Sequence, residues 1–158
     1  MQHAIFVDGS VNPQTRIGCG AFLALPVPCS LQPPTGKPAA IQTKRFANTS
    51  STQLEVETLL WALEHVTPGT DVTVYTDCQN IMGLLARRDR LESKNYCNAK
   101  GQALAHGALY QRFFQRYDAL AFTLVKLKGH KPAVNRSALD QWFSLVDRAA
   151  RAACQQNQ

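Results

Sequence analysis

The sequence predicts an α/β fold: a mixed five-stranded sheet, three antiparallel strands then parallel ones, flanked by helices. Three observations carry this. Apolar runs of strand length and apolar stripes of helical spacing follow one another in the order β-β-β-α-β-α-α-β-α, the pattern of a sheet covered by helices. The 158 residues, 45% apolar and 18% charged, suffice for one core without metals or disulfides. No repeat or low-complexity tract interrupts the order, so residues 1–158 are expected to form a single domain.

Residues 4–7 are a continuous apolar run before Asp8-Gly9-Ser10, a buried strand running into a turn. Further strands are expected at 18–25 and 41–47. Five prolines in the fifteen residues between them exclude regular structure and predict a surface connection. Residues 53–66 form the clearest helix, because Val56, Leu59, Leu60 and Leu63 share one face and Thr67-Pro68-Gly69 stops it. A strand at 71–76 leads to a short helix at about 78–87. The polar, basic stretch 87–106 reads as a surface excursion. A helix at 107–117, a strand at 121–128 and a loop at 129–136 precede a last amphipathic helix on Leu139, Trp142, Phe143, Val146, Ala150 and Ala153.

Several classes are excluded by composition. No apolar run approaches the ~20 residues that a membrane span needs. The start Met1-Gln2-His3 carries no export signal pattern, so a cytoplasmic location is expected. Five cysteines without a CxxC pair encode neither a disulfide framework nor a zinc knuckle. The net charge of +6 is uneven: residues 1–86 carry four Lys/Arg against six Asp/Glu, and residues 87–158 carry thirteen against five. That division suits a polyanion on one side and cations on the other, although a basic surface also serves solubility.

Three acids sit where strands end or helices begin, places that hold a side chain still yet exposed. Asp8 reads equally as an Asx-turn residue. Glu55 completes a capping box, Thr52-x-x-Glu55, and Glu55 and Glu57 lie about 100° to either side of the apolar stripe, so either can face a neighbour. Asp77 reads equally as a helix N-cap. Clustered carboxylates repel unless a cation neutralises them, and an all-oxygen set favours Mg²⁺ or Mn²⁺ over zinc.

The strings FVDGS, TQLEVETLLWAL, VYTDCQN, KGH and VDRAARAA, in this order, resemble type 1 ribonuclease H over nearly the whole chain. The resemblance implies an RNase H-like fold and an endonuclease that hydrolyses the RNA strand of RNA·DNA hybrids with two Mg²⁺ ions, Mn²⁺ being a possible substitute. It leaves 5′-phosphate and 3′-hydroxyl ends. By the same resemblance the metal-binding catalytic acids are Asp8, Glu55, Asp77 and Asp147, and His130 in KGH is a loop histidine whose reference pKa of ~6.5 suits proton shuttling. Gly9, Ser10, Asn12, Ser51, Thr52 and Gln79 fall at substrate-contact positions, with minor-groove 2′-hydroxyls distinguishing RNA. His3, His65 and His106 match no motif position. The partner implied is the hybrid, the chain acting as a monomer with no membrane.

Departures from the family pattern are local. The loop after the first strand is two residues shorter than a common form, and Ser51-Thr52 replaces an amide pair. The 87–106 stretch stands where the family carries a basic handle, but lacks tryptophan; Lys126, Lys128 and Lys131 are the other candidates for grip, or solvated surface. Trp61 and Trp142 lie in apolar helix faces and read as core. Asp140 and Asp147 are about 20° apart in helical projection. Asp147 is preferred for the small alanines that follow it, leaving Asp140 as a cap or surface acid. Two alternatives stand beside the nuclease: a non-catalytic nucleic-acid-binding module on the same fold, and another nuclease or integrase of the wider superfamily.

Overall fold

The structure, a computed structural model, describes residues 2–36, 39–128, 132, 134 and 136–156. His130 and Lys131 therefore lie outside the described residues. The sheet has the order β3-β2-β1-β4-β5. Antiparallel pairs join β1 (Gln2–Asn12) to β2 (Ile17–Pro26), and β2 to β3 (Gln42–Phe46). Parallel pairs join β1 to β4 (Asp71–Thr76), and β4 to β5 (Thr123–Lys126). The mixed five-stranded sheet expected from the sequence is thus present.

Alternation along β1 divides the core. Ile5 and Val7 face α2 (Ser51–Leu63), with α3 (Gln79–Ser93) and α4 (Gly107–Leu120) completing that layer through Ile81, Leu84, Phe113 and Phe114. Ala4 and Phe6 face the opposite way, onto Phe143, Val146 and Ala150 of α5 (Ala138–Gln156). Trp61 and Trp142 are half-buried against these two clusters, as their helix faces predict. None of the five cysteines is in a disulfide. Among the described residues no helix is long and apolar enough to cross a membrane.

Several local expectations are corrected. The first strand does not end at Asp8: Asp8 pairs with Ala21 and Gly9 with Gly20, and the strand runs on to Asn12. The turn comes later, where Asn12 Oδ1 accepts from Gln14 N and Arg16 takes a left-handed φ of 58°. Asp-Gly mimics a turn signal here because Gly9 is needed for packing. Ser50 caps α2, accepting from Gln53 N at 3.3 Å, so Thr52 lies inside the helix and the expected capping box does not form. Cys78 is the N-cap of α3, in place of Asp77.

Helix α3 reaches Ser93, six residues beyond the expected end. Arg88 explains the extension, pairing with Glu92 one turn on and with Asp118 of α4. Only the remainder of the expected excursion is irregular, held by a Cys97–Ala103 bridge and by Asn98 Oδ1, which accepts from the backbones of Lys100 and Gln102. The proline-rich connection holds one turn of helix, α1 (Val27–Ser30). Its proline sits in the first turn, where the backbone N–H would be unpaired anyway.

Three glycines set how closely α2 sits on the sheet. A Cβ on Gly9 would lie 2.9 Å from Leu54 Cδ2, and one on Gly18 would lie 2.8 Å from the same atom. One on Gly20 would lie 2.9 Å from Thr58 Cβ. Gly20→Ala is therefore expected to cost about 1–3 kcal/mol, since buried Thr58 has nowhere to go. Gly83→Ala in α3, where a Cβ meets only Arg87 Nε at 3.8 Å, should instead gain about 0.5–1 kcal/mol. Urea unfolding measures both; a Gly20→Ala protein as stable as its parent would contradict the close approach.

Candidate active site

The site forms where two neighbouring strands differ in length. β1 pairs with β4 only as far as Phe6↔Tyr75, whereas it stays paired with β2 to Asn12. From Asp8 onward the β4 side of β1 is open, and Asp77 is the first residue beyond β4. This is the carboxyl end of two parallel strands, the usual place for ligands in α/β sheets.

Asp8 shares the parity of Ala4 and Phe6, which directs it to the α5 face, and it is only 5% exposed. There it is hydrogen-bonded to the Asp147 side chain. Two carboxyls bond only by sharing a proton, and burial first, then the Asp147 side chain, then the charges of Glu55, Asp77 and Asp147 push the pKa of Asp8 up to about 9. Asp147 also accepts from Arg151 Nη2 at 3.0 Å, one turn along α5.

Glu55 arrives from the other face of the sheet. Its Oε1 would stand 3.7 Å from a Cβ on Gly9, which places the carboxyl over the β1 backbone. Burial, with the Asp77 charge adding to it, raises its pKa to about 8. Glu55 Oε2 is buried with no hydrogen-bond partner. Glu57, on the other flank of the helix, points away from this cluster and accepts from Thr49 Oγ1 at 2.7 Å.

Asp8 is thus within electrostatic reach of Glu55, Asp77 and Asp147, and Glu55 within reach of Asp77. Asp140 is not among them: it is buried at the start of α5 in a reciprocal cap with Ser137, whose N and Oγ donate to Asp140 Oδ2 at 3.0 Å. Ser137-x-x-Asp140 is the signal by which that cap was legible in the sequence. Arg151 and Thr49 are the site-supporting residues that sequence reasoning missed. Arg151 stands at the i+4 spacing of an ion pair with Asp147; no motif pointed to Thr49.

The expected substrate residues spread along the rim. Ser10 and Asn12 line a cleft with Arg151 and Gln155, while Ser51 lines a separate cleft with Arg16 and Thr49. The β1–β2 hairpin divides the two. Thr52 is half-buried in the first turn of α2, and Gln79 is exposed at the start of α3, accepting from Lys126 Nζ at 2.7 Å.

Among the described residues no three His, Cys, Asp or Glu side chains already have the arrangement of metal ligands. The donor chemistry nevertheless fits a hard divalent cation. The set is all oxygen, one buried carboxyl oxygen has no partner, and two carboxyls have pKa values raised by burial and, beyond it, by neighbouring carboxylate charge that a cation would offset. Burial pushes the thiol of the neighbouring Cys78 up from its ordinary range.

Fold and site together define an α/β domain with a carboxylate centre at the ends of its parallel strands. The RNase H family model matches residues 1–155, and the chain belongs to the RNase H family, whose members are ribonucleases acting on RNA·DNA hybrids. A search of curated proteins finds no significant match.

The two raised carboxyls make a pH prediction. The folded chain binds more protons than the unfolded one from the ordinary carboxylate range up to about pH 9, so their contribution is fully present below that range and is lost progressively as pH rises to about 8 to 9. Divalent ions bind the ionised form. In thermal melts, Mg²⁺ or Mn²⁺ relative to chelator should therefore stabilise more at about pH 9 than at about pH 6. An equal or larger gain at the lower pH would place the ion elsewhere.

Proposed function

We propose that this chain is a type 1 ribonuclease H, an endonuclease that hydrolyses the RNA strand of RNA·DNA hybrids using two divalent metal ions and leaves 5′-phosphate and 3′-hydroxyl ends. The observation that carries this reading is that Asp147, Glu55 and Asp77 converge on buried Asp8 where β1 outruns β4. A structural role has no use for four acids so placed, and a pure binder gains nothing from negative charge facing phosphate.

Asp8, Glu55, Asp77 and Asp147 would hold the ions. When bound, the ions supply activation of the attacking water and stabilisation of the departing 3′-oxygen. Asp8 and Glu55 must first give up the protons that burial and repulsion retain on them. Arg151 keeps Asp147 oriented and partly neutralised. His130 is proposed to shuttle protons or help product leave. Gly9, Ser10, Asn12, Ser51, Thr52 and Gln79 would contact the hybrid on the rim. The chain is proposed to act as a single-domain monomer in the cytoplasm.

Purified protein should cleave the RNA of a labelled hybrid with Mg²⁺ or Mn²⁺ and spare double-stranded DNA; cleavage persisting in excess EDTA would refute the mechanism. Asp77→Asn should abolish turnover while hybrid binding without metal stays equal or tightens. Asp147→Asn should lower cleavage by orders of magnitude and Asp140→Asn by no more than about tenfold, each tenfold being ~1.4 kcal/mol of barrier. The opposite ranking on equally folded proteins would move the fourth ligand to Asp140.

The basic residues of α3 are not equivalent. Arg88 is engaged with Asp118 and Glu92; Arg87, Arg90 and Lys94 line an open groove with Asn98, and of these Arg87 also donates to Asn80 Oδ1 at 2.8 Å. Charge reversal at Arg90 and Lys94 should weaken hybrid binding and flatten its salt dependence, because fewer counterions are released. Reversal at Arg88 should instead show mainly as lost stability. An unchanged salt slope in the Arg90/Lys94 variant would put the phosphate grip elsewhere.

A further inference from the structure

We propose that Lys126 is a positioning residue for Gln79, and that it makes the contact of Gln79 with the hybrid neutral to base sequence. The proposal rests on the ribonuclease reading above. Lys126 ends β5 and stands in register with Thr76, the last residue of β4. α3 begins at Gln79, so the two side chains meet across the carboxyl ends of neighbouring strands, where Lys126 Nζ donates to Gln79 Oε1 at 2.7 Å.

An ammonium group has donors and no acceptor, so it can meet only the oxygen of the amide. The orientation of Gln79 is thereby set. Lys126 occupies one of the two acceptor sites of the amide oxygen and fixes the rotation of the amide, leaving the NH₂ group, with two donors, directed away from the ammonium. In the minor groove every base pair offers acceptors, and guanine alone adds an exocyclic donor. The 2′-hydroxyl also accepts. A glutamine held as a donor therefore finds a partner at any sequence. Released, the same amide can flip and offer its oxygen to guanine, which introduces a preference.

A phosphate contact is the obvious other role for a rim lysine, and it differs in consequence. A lysine that binds phosphate acts independently of Gln79, and its loss lowers the salt slope by about one. A lysine that acts through Gln79 has no effect once Gln79 is gone.

The test is a double-mutant cycle of Lys126→Met and Gln79→Ala, with Lys126→Arg as the conservative variant, on a mixed-sequence hybrid. Lys126→Met should raise KM about three- to tenfold with kcat within about twofold, and should add no further rise in the Gln79→Ala background. Lys126→Arg should restore the parent KM. The cleavage map of Lys126→Met should gain a guanine bias at one fixed distance from the cut, which loss of stability alone would not produce. The proposal is overturned by an equal rise in KM in both backgrounds, by a KM and cleavage map that do not change, or by a map that changes without coupling to Gln79. The side-chain amide resonances of Gln79 in the free protein give a readout that needs no substrate, and Lys126→Met should shift them. A parent protein that cleaves no hybrid would refute the proposed function; unshifted amide resonances would refute the positioning role.

Discussion

The height at which α2 rides on β1 and β2 governs the rest of the molecule. Gly9, Gly18 and Gly20 present bare backbone to Leu54 and Thr58, and a methyl group at any of them would collide with the helix. At that height the first turns of α2 reach across β1, and Glu55 comes over Gly9. The start of the helix is tied down independently, since Thr49 donates through Oγ1 to Glu57 and through N to Arg16 O at 3.0 Å. Helix, hairpin turn and strand thus form one unit, and a glutamate on one face of the sheet is brought to an aspartate on the other.

A second constraint is the unequal length of β1 and β4. Had β4 continued beside Asp8, its backbone would have filled the gap in which the carboxyls gather. The gap concentrates electrostatic repulsion in one place, and the surrounding structure must hold it against that repulsion. It does so with apolar contacts on both faces of the sheet, including the 5.1 Å stack of Phe6 on Tyr75, the two residues of the last β1–β4 pair. Burial first, and the charges of the neighbouring acids after it, raise the pKa values of Asp8 and Glu55 far above their usual range, which lowers the repulsion without a cation.

The basic half of the sequence is less available to a polyanion than its charge suggests. Arg88 is divided between Asp118 and Glu92, Arg151 faces Asp147, and Arg87 folds back on α3 toward Asn80 and the Tyr110 ring. These cations join helix to helix or support the acid cluster. Net charge reports how many cations there are; the pairs they make decide which are left for phosphate.

Element type and order were determined by the sequence itself, because alternation in 71–76 and the apolar stripes of α2 and α5 are local periodic signals that burial enforces. The candidate acids came from a different signal, the resemblance of the short strings around them to a family pattern, which periodicity does not supply. Tertiary structure decided where elements stop and which polar readings hold. Asp-Gly looks like a turn in isolation, yet pairing with β2 and contact with Leu54 keep Gly9 in a strand. Thr52 and Asp77 look like caps, yet Ser50 and Cys78 take those places. Asp140 and Asp147 are indistinguishable by helical period, and only the docking of α5 against β1 sets one beside Asp8 and leaves the other capping with Ser137. Propensity acts over a few residues, whereas each of these outcomes depends on a contact between segments far apart in the chain.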